Sequence, residues 1–115
     1  MRALVCGGRD YSCWAVVANA LDLLDHKHGI ECIIQGGAGG ADALGKRWAE
    51  VNERPSLQVD AHWKQLGRRA GPTRNRWMLD FCSPDCVVAF PGGKGTADMV
   101  EKARAQGVSV WEVPG

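Results

Sequence analysis

The sequence predicts an α/β protein: a Rossmann-like three-layer sandwich on a mostly parallel sheet of about five strands. Three observations carry this expectation. Apolar runs of strand length alternate with helical segments along the chain. Glycine-rich turns follow three of those runs. One run, Cys86-Val87-Val88-Ala89-Phe90, is apolar without a break, as in a strand covered on both faces.

The elements follow in order. Arg2 to Cys6 is a short strand ending at Gly7-Gly8. From Ser12 to His28, Trp14, Val17, Leu21 and Leu24 recur at spacings of 3, 4 and 3, which is one face of a helix. Asp10 or Ser12 is expected to cap it, and Gly29 to stop it. Glu31 to Gln35 makes the second strand, followed by Gly36-Gly37-Ala38-Gly39-Gly40. Ala41, Leu44, Trp48 and Val51 repeat the helical spacing, Pro55 closes that helix, and Leu57 to Ala61 is the third strand. Pro72 suits a helix's first turn, where a backbone N–H has no partner to lose. The helix it opens runs through Met78 and Phe81 towards Ser83-Pro84. Cys86 to Phe90 is the fourth strand. Pro91-Gly92-Gly93-Lys94-Gly95-Thr96 leads into a helix through Met99, Val100 and Ala103 that ends at Gly107, and Val108 to Val113 closes the series. No repeat or linker divides residues 1–115, which read as one domain.

Composition narrows the function. A 45% hydrophobic and 23% charged chain is an ordinary globular protein, and no apolar run approaches the roughly 18 residues of a membrane helix. The short N-terminal apolar run meets Gly7-Gly8-Arg9-Asp10 at once and reads as a strand, not a signal peptide; a cytoplasmic location is expected. The net charge of +1 gives no global case for nucleic acid as a partner. Cys6, Cys32 and Cys86 lie in apolar runs, where free cysteine behaves as a small buried hydrophobe. Cys82 and Cys86, with His26, His28 and His62 elsewhere, do not match the spacing of structural zinc sites, so neither metal nor cofactor is expected. From Ala61 to Leu79 there is no acid, yet the segment carries Lys64, Arg68, Arg69, Arg74 and Arg76. Such a patch draws an anion, or is simply a solvated basic loop.

In parallel sheets ligands bind beyond the carboxyl ends of the strands, and the unusual sequence collects there. Glycine turns before helices bring backbone N–H groups and a partial positive charge to one edge, which suits phosphate. No P-loop and no G-x-G-x-x-G occurs. The candidate ligand residues are Gly8, Arg9 and Asp10 on the first turn; Gly36, Gly37, Gly39 and Asp42 on the second; Arg74 and Asn75; and Gly92, Gly93, Lys94, Gly95 and Thr96 on the last. Arg74, at the start of the third helix, is the best single phosphate ligand. Asp10 and Asp42 either cap helices or hold ribose hydroxyls. Thr96 is expected to cap the last helix, Lys94 can simply face water, and Trp63 either stacks on a base or packs internally. Trp14 and Trp48 fall on apolar helix stripes and are core or dimer-interface residues.

The string Pro91-Gly92-Gly93-Lys94-Gly95-Thr96 resembles the PGGxGT signature of the SLOG superfamily, which includes the Lonely Guy phosphoribohydrolases and the DNA-processing DprA proteins. Gly7-Gly8-Arg9-Asp10-Tyr11, Gly36 to Asp42, Ala61-His62-Trp63, Gly67-Arg68, Ala70-Gly71-Pro72, Arg74-Asn75 and Ala89 to Met99 are similar to the YspA-type branch, over nearly the whole chain. The resemblance implies a Rossmann-like fold that binds a nucleotide or nucleotide-derived small molecule, to sense, sequester or process it, and a homodimer. Lonely Guy enzymes carry an arginine four residues before a methionine, then PGGxGTxxE. Arg74 and Met78 match the first element and Pro91 to Thr96 the second, but Met99 stands in the glutamate's place. Asp98 is one position earlier, about 100° round a helix. Arg74 and Asp98 are therefore the candidate catalytic pair for an N-glycosidic hydrolase, the alternative to binding alone. Single-strand nucleic-acid binding, by analogy with DprA, is disfavoured by the near-neutral charge.

Overall fold

Successive strand residues point to opposite faces, and here both sets are apolar, so the sheet must be covered on both sides. The computed structural model describes residues 1–115. Strands β1 (Arg2–Cys6), β2 (Cys32–Gln35), β3 (Ser56–Gln58), β4 (Cys86–Ala89) and β5 (Ser109–Glu112) form one wholly parallel sheet in the order β3-β2-β1-β4-β5. The helices are α1 (Trp14–His28), α2 (Gly40–Val51), α3 (Trp63–Leu66), α4 (Ala70–Cys82) and α5 (Lys94–Ala105). Ala3 and Val5 of β1 face a core layer with Val17 and Leu21 of α1 and Trp48 of α2. Leu4 and Cys6 face the other, with Met78 and Leu79 of α4 and Met99, Val100 and Ala103 of α5. This is the doubly wound architecture expected from the alternation of elements. After β3 the chain returns to lay β4 beside β1, so the connections leave these neighbours in opposite directions and open a crevice between their carboxyl ends. No helix is long and apolar enough to cross a membrane.

Several local expectations need correction. Helix α1 begins at Trp14 with Cys13 at its N-cap, and neither Asp10 nor Ser12 caps it. Thr96 does not cap α5 either: Gly93 holds that position and Thr96 sits in the first turn. The third strand is Ser56–Gln58, not Leu57 to Ala61. It lies at the sheet edge and pairs only with β2, which stops at Gln35; Val59 makes the final bond, N–H to Gln35 O at 2.9 Å. The basic stretch is not a simple loop. Trp63–Leu66 forms a helical turn, Gly67–Arg69 a 3₁₀ turn, and α4 starts at Ala70 with Pro72 as its third residue. Short helical turns lack the repeated apolar spacing from which longer helices are read.

Between α1 and β2 the chain turns on Asp25. Its carboxylate accepts from the Ile30 N–H (2.7 Å) and from both terminal nitrogens of Arg54, at 2.7 and 3.2 Å. The Arg54 hydrogen bonds, then the Ile30 bond, hold the Asp25 carboxyl below its ordinary value, outweighing its partial desolvation. A carboxylate with a depressed folded pKa stabilises the fold above its unfolded pKa and loses that contribution as pH falls through the folded one. Asp25→Asn should therefore lower Tm at neutral pH, and the gap to the parent should close in acid below the ordinary carboxylate range. A gap independent of pH in thermal melts would contradict the linkage.

Candidate functional site

Three loops meet at the crevice, and backbone hydrogen bonds tie them together. Phe90 N–H donates to Cys6 O (2.9 Å), Gly8 N–H to Pro91 O (2.8 Å), and Ala41 N–H to Gly8 O (3.1 Å). The turn after β1 is thus clamped between the turn after β4 and the start of α2. Contact is so close that a methyl group on Gly92 would strike Thr96 Oγ1 and lie 2.7 Å from Gly8 N and 2.9 Å from Gly7 C. Glycine is required there for backbone approach.

Above this floor lies a cavity of about 820 Å³. The β1 turn contributes Gly8, Arg9 and Asp10; α2 contributes Asp42; α4 contributes Arg74 and Asn75. The whole run Gly92 to Thr96 borders it, and so does Asp98. The first amide of α5 to bond back is Ala97, to Gly93 O at 3.1 Å; the amides of Lys94, Gly95 and Thr96 have no backbone acceptor. Such first-turn donors, with the helix dipole behind them, form an anion cradle.

Arg74 is fixed rather than free. Its Nε donates to Asn75 Oδ1 (3.1 Å) and its NH1 to Gly36 O (2.8 Å). A Cβ on Gly36 would occupy the guanidinium's place. Burial lowers the Arg74 pKa, partly offset by the Asp42 charge, but a guanidinium titrates so high that it stays cationic. Asn75 is buried and uses its whole carboxamide within the protein: Nδ2 donates to Gly95 O (3.2 Å) and to Asp98 Oδ2 (3.0 Å). It links Arg74 to the first turn of α5. Lys102 Nζ grips Asp98 at 2.6 and 2.7 Å and also donates to Pro72 O at 3.3 Å. Burial raises the Asp98 pKa, but hydrogen bonds from Lys102 and Asn75 and the Lys102 and Arg76 charges outweigh it, so the carboxyl titrates below its usual range. Asp98 supplies negative charge to the cavity wall and has no proton to give at neutral pH.

Asp42 differs. Burial pushes its pKa up against the pull of the Ala38 and Gly36 amides and the Arg74 charge. Its Oδ2 accepts from Ala38 N–H at 3.1 Å, folding the 36–40 loop back onto α2. Gly36 and Gly37 border a smaller adjoining cavity of about 390 Å³. Gly39 borders neither cavity; it stands before α2 as its N-cap, with φ +62°. Lys94 is exposed beside the mouth.

Residues that the glycine motifs did not announce complete the walls. Tyr11 and Met78 line the larger cavity. Arg68, from the basic stretch, does so as well, and Trp63 borders both cavities. Trp63 is 48% exposed, so it is not the packing residue that a tryptophan-rich domain would suggest. Arg9 lies over its ring at 5.5 Å. By contrast Trp48 is buried at 1% exposure, and Trp14 is half-buried beneath Arg47. The absence of acids from 61 to 79 was the available signal for Arg68 and Trp63, because it leaves the cations of that segment without a carboxylate of their own.

Fold and cavity together define a doubly wound α/β protein with a polar, glycine-walled cleft at the switch point of its sheet. The model of the YspA, cpYpsA-related SLOG family matches residues 1–66, from β1 to the end of α3. A similar protein is "Gene 61 protein" of Mycobacterium phage D29, 33% identical over 119 residues that cover 95% of this chain and 93% of that protein. The chain belongs to the YspA, cpYpsA-related SLOG family. Arg74 and the last glycine loop lie outside the residues matched by the family model, and the phage relative spans them.

Proposed function

We propose that the protein binds a nucleotide or nucleotide-derived small molecule, with its phosphate on the first-turn amides of α5 and Arg74 as counter-charge. One observation carries this reading. Lys94, Gly95 and Thr96, whose amides have no backbone acceptor, border the same cavity as Arg74. Arg9 and Arg68 add positive charge to the walls, and Tyr11 offers a flat apolar surface for a ring. Membership of the SLOG family supports a nucleotide-related ligand. The test is native mass spectrometry of protein purified gently from its host, with calorimetric titration of phosphate and assorted mononucleotides. The expected result is a bound mass matching a nucleotide or a derivative, and saturable binding of the phosphate compounds. Protein that carries nothing and takes up none of them would end this reading.

The position of Asp98 favours hydrolysis as a second reading. Cleaving an N-glycosidic bond builds positive charge on the sugar, which an ionised carboxylate stabilises. Asp98 is such a carboxylate in the same cavity as Arg74, although Lys102 already neutralises part of its charge. Chromatography of the same mixtures for free base distinguishes the two: sustained release that Asp98→Asn abolishes supports catalysis, and intact nucleotide supports binding alone.

A further inference from the structure

We propose that the smaller cavity is a second subsite of the same cleft, and that the ligand is a diphosphate-linked molecule with a ring-bearing group at each end. This inference rests on the larger cavity being the nucleotide site proposed above. The two cavities share Arg9, Ala38, Trp63 and Arg74, so they are arms of one cleft that meet at two guanidinium groups. Arg9 and Arg74 are near neighbours: after burial, and against the charges of Asp42 and Asp60, the charge of Arg9 also lowers the Arg74 pKa. Neither makes an ion pair with a carboxylate. A dianionic linker is the chemistry that two such neighbouring cations recognise, and a diphosphate supplies it.

The smaller arm is also built for something beyond that linker. Its own residues are Gly36, Gly37, Asp60 and Ala61. Gln35, 1% exposed in an otherwise apolar stretch of sheet, accepts from Gly37 N–H (2.6 Å) and donates to Gln58 Oε1 (3.1 Å). Gln58 Nε2 in turn donates to Asp60 Oδ1 at 2.9 Å. A buried glutamine is costly unless satisfied, and here its whole carboxamide positions the wall of this arm. The chain of bonds ends on a carboxylate, an acceptor for hydroxyl groups and a poor neighbour for phosphate. Asp60 thus suits a ribose-like ring beyond the linker, with the exposed Trp63 beside it as a stacking surface. The larger arm, at about 820 Å³, holds a mononucleotide without help.

Calorimetric titration of the intact protein tests this with phosphate, pyrophosphate, adenosine monophosphate and diadenosine diphosphate. We expect pyrophosphate to bind tighter than phosphate, and the dinucleotide about tenfold or more tighter than the mononucleotide, the order that one added stacked base supplies. Ala61→Phe fills only the smaller arm and should bring the dinucleotide down to the mononucleotide's affinity, leaving the mononucleotide unchanged. Asp60→Ala, which spares the core, should weaken the dinucleotide while pyrophosphate binds as well or better; it decides the matter if the phenylalanine variant does not fold. Equal affinity for mononucleotide and dinucleotide overturns the second subsite and leaves the first intact. So does an Ala61→Phe variant that loses both equally. Failure of all four compounds to bind removes the nucleotide site itself, and the subsite with it.

Discussion

Arg74→Ala should weaken binding of a phosphate-bearing ligand about 10- to 150-fold, the equivalent of roughly 1.5–3 kcal/mol for hydrogen bonding to a charged group. The loss comes from geometry as much as charge. Arg74 is anchored at Nε by Asn75 and at NH1 by Gly36 O, so the remaining nitrogen of its fork is left to meet a ligand without further ordering. Arg74→Lys keeps the charge but cannot satisfy both anchors at once, and should fall between the two. The alanine variant also has a stability signature. Gly36 O and Asn75 Oδ1 lose a donor, at about 1 kcal/mol because water can enter from the cavity. Asp42 loses the cation that partly offset its burial. A carboxyl whose folded pKa is raised destabilises the fold as pH rises through the unfolded value towards the folded one. The deficit in Tm should therefore be larger at neutral pH than in acid. Unchanged phosphate affinity in titrations of Arg74→Ala would remove Arg74 from the site.

Gly92→Ala should cost about 1–3 kcal/mol of stability, the range for forcing extra atoms into packed surroundings, and should abolish the anion cradle. Its Cβ would meet Gly8 N at 2.7 Å and Gly7 C at 2.9 Å, both backbone atoms that move only if the clamp opens. The Gly8 N–H to Pro91 O bond, 2.8 Å long, would open with it. Gly93 and Gly95 in the same string have open space where a Cβ would project, and neither has a positive φ. Gly93→Ala and Gly95→Ala should stay within about 0.5 kcal/mol of the parent, as surface changes do. Thermal melts and phosphate titration of the three variants give the comparison. If all three behave alike, the glycines serve chain flexibility rather than contact between loops.

That contrast marks the boundary between what was legible in the chain and what was not. The doubly wound order followed from alternating elements, and the clustering of special turns at one sheet edge followed from the order. Most candidate residues on the glycine turns and α4 do border one cleft. Gly39 stands at the start of α2 and borders neither cavity, a distinction the sequence does not make because a glycine turn reads the same whether it faces a ligand or starts a helix. Caps went wrong at Asp10, Ser12 and Thr96 because side-chain type alone does not fix where the first hydrogen-bonded turn begins. Asn75 borders the cavity beside Arg74, and what the sequence did not show is that its buried carboxamide joins Arg74, Gly95 and Asp98.

The sequence alone determined the layers, the parallel sheet and the edge on which chemistry collects, since these depend on hydrophobic period and turn residues, which are local. Only the tertiary structure decided that Arg74 is held by Gly36 from 38 positions away, that Asp98 is ion-paired with Lys102, and that a smaller cavity opens beside Trp63 and Asp60. Those outcomes depend on which segments pack side by side. Burial and pairing set the charge state and aim of each polar group, and no local pattern of residues encodes them.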